Sequence, residues 1–162
     1  MTRPRLVAQL LFWGGYGLLM MLGWFAANGR QGQSFLSAFT VTLSVCAALA
    51  AASEALRALA QWRGWMERSL LGLALRVTLA VPVLALIAQM LIRGVTLTLF
   101  ALGVIDLPQE VQTLKPHHVV LYALNSSMML WLWTAGWIAA QALQRWRDGE
   151  VTRWRLEAER EK

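Results

Sequence analysis

The feature that most constrains the fold of this chain is a set of four long stretches almost free of charged side chains. Residues 6–27 form the first, with 22 consecutive positions that lack Asp, Glu, Lys and Arg. A helix needs about 20 apolar residues to cross the ~30 Å hydrocarbon core of a bilayer, because each residue adds about 1.5 Å. The apolar region of a secretory signal peptide is shorter, about 7–15 residues. The first stretch therefore predicts an uncleaved transmembrane helix.

Three further stretches of similar length predict three more transmembrane helices, over residues 34–53, 70–92 and 119–143. We therefore expect an all-α polytopic membrane domain of four helices over residues 1–143. In the second stretch, Ser44, Ala48 and Ala52 recur every four residues, a spacing of small side chains that lets membrane helices approach closely. In the third stretch, Pro82 removes a backbone donor and favours a kink.

A fifth apolar segment, residues 94–105, also lacks charge. Its 12 residues are too few for another crossing. It either extends the third helix or lies in the membrane interface, and the sequence leaves both arrangements open.

The composition agrees with a membrane protein. Of the 162 residues, 57% are hydrophobic and only 15% are charged, against about 25% charged in soluble domains. Nine Trp residues are present, and Trp is enriched at membrane interfaces. A single Cys excludes a disulfide scaffold and multi-cysteine metal sites.

The basic residues predict the orientation in the membrane. With the N-terminus inside, eleven Lys and Arg residues flank the spans on the inner side and three on the outer side. Cytoplasmic loops carry such an excess of basic residues. We expect a multi-pass protein of the bacterial cytoplasmic membrane with both termini in the cytoplasm. The net charge of +6 then reports topology and not nucleic-acid binding.

After the fourth stretch the chain becomes highly charged, over residues 144–162. Alternating acidic and basic residues predict a solvated helix leaving the membrane, with Gly149 as its weakest point. Val151, Trp154 and Ala158 have the spacing of one heptad, which indicates the start of a dimeric coiled coil. The chain stops inside this helical pattern without a cap, so we expect the natural sequence to continue.

Together these segments resemble the membrane sensor region of LytS-type histidine kinases. The resemblance rests on an aromatic and glycine-rich first span, an Arg- and Trp-containing loop, the fourth span and the charged helix that follows it. The corresponding sequences are FWGGYGLLMMLGW, EALRALAQWRGWMERS, LYALNSSMMLWLWTAGW and QRWRDGEVTRWRLEAEREK. In that family the charged helix leads to an Asn-Pro-His-Phe-Leu-Phe-Asn phosphoacceptor motif and an ATP-binding domain, and these 162 residues contain neither.

The resemblance implies a sensor module that relays a stimulus through its fourth helix to a kinase core outside this chain. It implies a homodimer in the lipid bilayer and a cytoplasmic response regulator as partner of that core. ATP and Mg²⁺ are expected only for the core, and no cofactor is expected in this chain. The residues expected to transmit the signal are Trp146, Gly149, Val151 and Trp154.

Polar residues inside or beside the spans are the candidates for sensing: Arg76, Gln89, His117, His118, Asn125 and Ser126. The two histidines either sense pH or an ion or serve as interfacial residues, and the second interpretation is favoured. Arg76 is a functional candidate as an intramembrane charge, but extending toward the inner headgroups explains it better.

Gln89 and Asn125 are predicted to lie near the same outer side, so we expect a hydrogen bond between them. Such a bond either joins two helices or forms the wall of a ligand cavity, and the first role is favoured.

No catalytic arrangement is visible. Two other functions remain open: a stand-alone membrane binding or assembly protein, and a small four-helix transporter. A proton-coupled transporter would need an acidic residue within a helix. Glu54, at the predicted end of the second span, is too close to the interface to be a good candidate.

Overall fold

A computed structural model describes residues 3–28, 35–65, 70–107 and 115–160. Within these residues the chain forms four long helices, which we number in chain order. They are α1 (Arg3–Asn28), α2 (Phe35–Trp62), α3 (Leu70–Ala101) and α4 (Pro116–Arg160). The predicted all-α architecture with four spans is confirmed.

All four helices are long and apolar enough to cross a membrane. The starts of the helices agree with the sequence prediction to within three residues. Two of the ends do not: α2 and α3 each continue nine residues beyond the predicted end of their span. The charged residues that marked those predicted ends, Glu54 and Arg93, lie inside helices because a charge does not interrupt backbone hydrogen bonding.

The end of α3 decides the arrangement of residues 94–105. The helix is continuous through Pro82 and extends to Ala101. It ends in a Schellman motif, in which the Val104 N–H donates to the Leu99 carbonyl at 3.0 Å and the Gly103 N–H to the Phe100 carbonyl at 2.9 Å. Gly103 has φ = 70°, which a side chain would disfavour. The segment is therefore mainly an extension of α3 and not an interfacial helix.

Helix α2 lies at the centre of the bundle and contacts α1, α3 and α4, while α4 also contacts α3. Its buried face carries large residues such as Leu49 and Leu56, and these meet Val77 and Val81 of α3 and Leu130 of α4. Many large apolar side chains point outward instead. This distribution suits a bundle whose exterior contacts lipid tails.

The predicted stripe of small residues on α2 is only partly correct. Ala52 is buried, but Ser44 and Ala48 are half-buried. The buried face passes through Val45 and Leu49, one position further along the helix. Because apolar lipid does not distinguish Ala from Leu, spacing alone did not identify the face that meets the other helices.

Helices α1 and α2 approach each other most closely at Gly17. A Cβ atom at this position would lie 2.9 Å from Cys46 Sγ and 3.5 Å from Thr42 Cγ2. The Cys46 thiol also donates a hydrogen bond to the Trp13 carbonyl at 3.3 Å. The absence of a side chain at Gly17 therefore sets the distance between these helices.

Helix α4 is 45 residues long and begins at Pro116, a residue suited to the first turn because its missing N–H has no partner to lose there. It continues without interruption through the last apolar residues and through Gly149 to Arg160. The predicted extension of the fourth span into a long helix is confirmed.

Candidate functional site: a polar cavity at one end of the bundle

A cavity of about 320 Å³ lies between the four helices at the end where α1 terminates and α2 begins. We call it the outer cavity, after the side of the membrane predicted for this end. Tyr16, Val45, Gln89 and Ser126, one from each helix, form its floor near the middle of the bundle. Its mouth includes Trp24. The cavity is therefore built by all four helices and not by one loop.

The floor contains a hydrogen bond between α3 and α4. The Gln89 side-chain amide donates to Ser126 Oγ at 2.6 Å and to the Tyr122 carbonyl at 3.4 Å. The predicted bond between Gln89 and Asn125 is thus wrong by one residue. Consecutive helical residues point about 100° apart, so Ser126 faces α3 and Asn125 faces another helix.

Asn125 connects α4 to α1. Its Nδ2 donates to the Tyr16 hydroxyl oxygen at 3.2 Å. The predicted sensing residues Gln89, Asn125 and Ser126 therefore do line one cavity, and each joins α4 to a neighbouring helix.

Two charged residues line the cavity nearer its mouth. Arg93 lies one helical turn beyond Gln89 and is half-buried. Asp106 follows the turn at the end of α3, and its backbone N–H donates to Ser37 Oγ at 3.0 Å. The flanking Ile105 and Leu107 are buried. The chain after α3 is thereby held against α2 beside the mouth.

An aromatic layer lies on the inner side of the floor. Trp133 of α4 has its ring centroid 5.0 Å from that of Phe12 and 6.2 Å from that of Trp13. Trp13 is also 6.3 Å from Tyr16. The Trp13 indole N–H is buried and has no hydrogen-bond partner among the described residues. This layer packs α1 against α4 and separates the two halves of the bundle.

The inner half holds a charged network that we did not predict. The Gln9 side-chain amide donates to Glu54 Oε1 and, at 3.4 Å, to Ser53 Oγ. Arg57 Nη2 lies 3.0 Å from Glu54 Oε2. Both charged side chains are largely shielded from solvent. Since α2 continues to Trp62, the Glu54 carboxylate lies within a helix and not at its end.

A second cavity of about 320 Å³, the inner cavity, adjoins this network. It lies between α1, α2 and α4 and is lined by Phe12, Glu54, Arg57 and Trp137 among others. The outer and inner cavities are thus on opposite sides of the aromatic layer.

The structure does not bring Arg76 into either cavity. It lies in the second turn of α3 and is half-buried. Its Nη1 atom is buried with no hydrogen-bond partner among the described residues. Its predicted role therefore stays a prediction.

The predicted histidine site lies in the first turn of α4. His118 is half-buried, and its backbone N–H donates to the Lys115 carbonyl at 2.9 Å. The side chain of His117 is outside the described part of the structure. Among the residues described, no group of three or more His, Cys, Asp or Glu side chains could hold a metal ion.

The predicted signal-transmitting residues all lie on the helical extension of α4, and all four are exposed: Trp146, Gly149, Val151 and Trp154. They contribute nothing to the bundle core. Whether they transmit a signal stays a prediction.

Several residues of the site escaped prediction. Tyr16 and Gln9 are uncharged polar residues in an otherwise apolar span, and depth from the helix end could have marked them as candidates. Their partners lie more than 40 residues away in the sequence. The spacing of Glu54 and Arg57, one turn apart, was a local signal for the inner ion pair.

Four spanning helices, an apolar exterior and cavities within the bundle define a polytopic membrane protein. Comparison with protein-family models, curated proteins and solved structures found no match to this chain.

Proposed function

We propose that this chain is the membrane sensor and signal-transmitting module of a LytS-type histidine kinase, in a bacterial cytoplasmic membrane with both termini inside. The observation that carries this proposal is the continuity of α4. One helix lines the outer cavity at Asn125 and Ser126 and then continues to Arg160 without a break. A rotation or sliding of α4 at the cavity therefore reaches the residues beyond the span. Such a shift biases two arrangements of packed helices, which is a known form of switching.

The extension of α4 has the pattern of a surface that pairs with a second copy of this chain. Val151 is 51% exposed and Trp154 is 70% exposed, on one face of the helix. In the heptad that begins at Val151, the flanking positions of a parallel dimer are five residues apart. Glu150 and Arg155 have this spacing in the sequence, as do Glu157 and Lys162. Opposite charges at these positions favour a parallel homodimer over an antiparallel one.

Disulfide cross-linking of the full chain in liposomes tests both parts of this function. With Cys46 replaced by Ala, cysteines introduced one at a time at Val151 and Trp154 should cross-link efficiently. Cysteines at the neighbouring positions Thr152 and Arg153 should cross-link weakly, because they lie off the paired face. Equal cross-linking at all four positions would contradict a paired helix.

The link to the cavity is tested in the same background. Asn125→Leu removes the bond to Tyr16 and should change the ratio of cross-linking at residues 151 and 154. Ser127→Ala is the matched control, because Ser127 bonds only to the carbonyl of Ala123 within α4 among the described residues. An unchanged ratio in Asn125→Leu would contradict transmission through α4.

The kinase itself is tested by the coding sequence that follows Lys162 and by the output of the parent protein. A phosphoacceptor motif in frame supports the proposal, and a stop codon directly after Lys162 contradicts it. In the parent kinase, Gly149→Ala should alter phosphorylation without altering membrane insertion, because Ala stabilises the helix at its weakest point. An unchanged output would argue against this helix as the transmitter.

A second candidate function, a small transporter, is favoured by the two cavities on opposite sides of the aromatic layer. Glu54 adjoins the inner cavity from within α2 and is an acidic residue available for proton coupling. A pH gradient across proteoliposomes should then drive ethidium transport, and Glu54→Gln should abolish it. Absence of gradient-driven transport by the unaltered chain would contradict this function.

A further inference from the structure

The shape of the outer cavity indicates an elongated and mostly apolar ligand. From Tyr16 at the floor to Trp24 at the mouth, α1 rises by eight residues, or about 12 Å. Between these levels the walls are formed largely by apolar side chains such as Met20, Val41 and Ile92. Ligand sites typically combine such apolar walls with a few polar groups that orient the ligand.

The charged and polar groups of the cavity indicate where the head of that ligand lies. Arg93 is half-buried and forms no hydrogen bond or ion pair with any described residue. The only other charged lining residue, Asp106, is exposed and does not pair with it. A guanidinium removed from water is stabilised by an anion, and a carboxylate fits its paired donors.

Two hydroxyl groups at the floor can add donors to the same head group. The Tyr16 oxygen accepts from Asn125, and the Ser126 oxygen accepts from Gln89. Neither hydroxyl donates a hydrogen bond to another described residue, so both protons are available. Helical side chains lean toward the N-terminus of their helix, which directs Arg93 toward the level of Gln89. Guanidinium and hydroxyl donors therefore converge near the floor.

We propose that the outer cavity binds a single-chain amphiphile with a carboxylate head, such as a fatty acid. The carboxylate lies at the floor and accepts from Arg93, Tyr16 and Ser126. The hydrocarbon chain runs along Met20 and Val41 toward the mouth beside Trp24. This ligand is the stimulus in the sensing function proposed above, and to that extent the inference rests on it.

Binding is tested with the full chain in phosphatidylcholine nanodiscs, with a photoreactive diazirine derivative of decanoic acid as the probe. Its cross-links should map by mass spectrometry to residues that line the outer cavity. Decanoate should compete with the probe, decanol should compete at least about tenfold more weakly, and decylammonium should not compete. Equal competition by decanoate and decanol, or cross-links outside the cavity, would overturn the proposal. Acetate competing as well as decanoate would also overturn it, because a chain would then be unnecessary.

Substitutions at Arg93 test the head group directly. Arg93→Gln should weaken decanoate binding about tenfold and leave decanol binding unchanged. Arg93→Lys keeps the charge and should keep most of the affinity, which shows that the altered chain folds. The matched control is Arg63→Gln, an exposed residue remote from the cavity. Unchanged decanoate binding in Arg93→Gln would contradict the assignment.

The two proposals fail in different ways. If decanoate does not bind but Asn125→Leu still changes cross-linking of the α4 extension, the ligand class is wrong and the sensing function stands. If decanoate binds but Asn125→Leu leaves that cross-linking unchanged, the cavity is a binding site without a transmitter.

Discussion

The α1–α2 and α3–α4 interfaces hold their helices together by different chemistry. Between α1 and α2, Gly17 fits against Cys46, and Gln9 reaches the Glu54–Arg57 ion pair on the inner half. Between α3 and α4, Gln89 of α3 donates only to the uncharged side chain of Ser126 and the Tyr122 carbonyl.

This difference suggests which helices can move. A close approach at a glycine and a shielded carboxylate each demand one arrangement, because a shift creates a clash or leaves a charge unpaired. A neutral hydrogen bond between membrane helices contributes only about 0.6 kcal/mol on average. We therefore regard α1 and α2 as the fixed frame and α4 as the helix that shifts against α3.

The largest effect is expected for Gly17→Ala. The added methyl group would meet Cys46 Sγ at 2.9 Å, and overpacking of this kind typically costs about 2 kcal/mol. We expect that loss in the free energy of unfolding, measured by SDS titration in mixed micelles. Gly14→Ala is the control, since nothing lies within 4 Å of its position. Adding Cys46→Ala to Gly17→Ala should recover most of the loss; no recovery would mean that α1 and α2 do not meet there.

A smaller effect is expected for Arg57→Met, which keeps much of the side-chain packing but leaves Glu54 without its cation. Hydrogen bonds to charged groups contribute about 1.5 kcal/mol or more, and we expect a loss of about 1.5 kcal/mol in the same titration. Adding Glu54→Gln should restore part of it, because the unpaired charge is then removed. If the double substitution is as unstable as the sum of the two single ones, the pair is not coupled. Arg63→Met, at an exposed position, should have little effect.

The smallest effect is expected for Ser126→Ala, which breaks the neutral bond to Gln89. A loss of about 0.6 kcal/mol would match a typical hydrogen bond between membrane helices. Ser127→Ala is the control, since that hydroxyl bonds within α4 to the Ala123 carbonyl. A loss larger than that of Gly17→Ala would reverse the comparison and make α3–α4 the rigid interface.

The sequence was a good guide to the helices and a poorer one to their partners. Bilayer thickness sets a minimum length for each apolar stretch, so four spans could be predicted from residues 6–143. Helix ends were harder, because backbone hydrogen bonding continues past a charge, as at Glu54 and Arg93. The fold-back after Gly103 depends on a turn that hydropathy does not report.

The candidate site was predicted in part. Gln89, Asn125 and Ser126 were identified as polar residues at a common depth, and they do line one cavity. Which of them bond depends on the rotation of each helix about its axis. A single residue corresponds to about 100° of that rotation, and apolar lipid gives no sequence signal that fixes it. Tyr16 and Gln9 were missed because each bonds to a helix distant in sequence.

The length of α4 has a mechanical consequence. From Ser126 to Arg160 the helix spans 34 residues, or about 50 Å at 1.5 Å per residue. A rod of that length, pivoting near the cavity, is a lever: an inclination change of about 5° moves its far end by roughly 4 Å. A displacement too small to disturb the packing around Ser126 is thus amplified to the width of a side chain where α4 leaves the bundle.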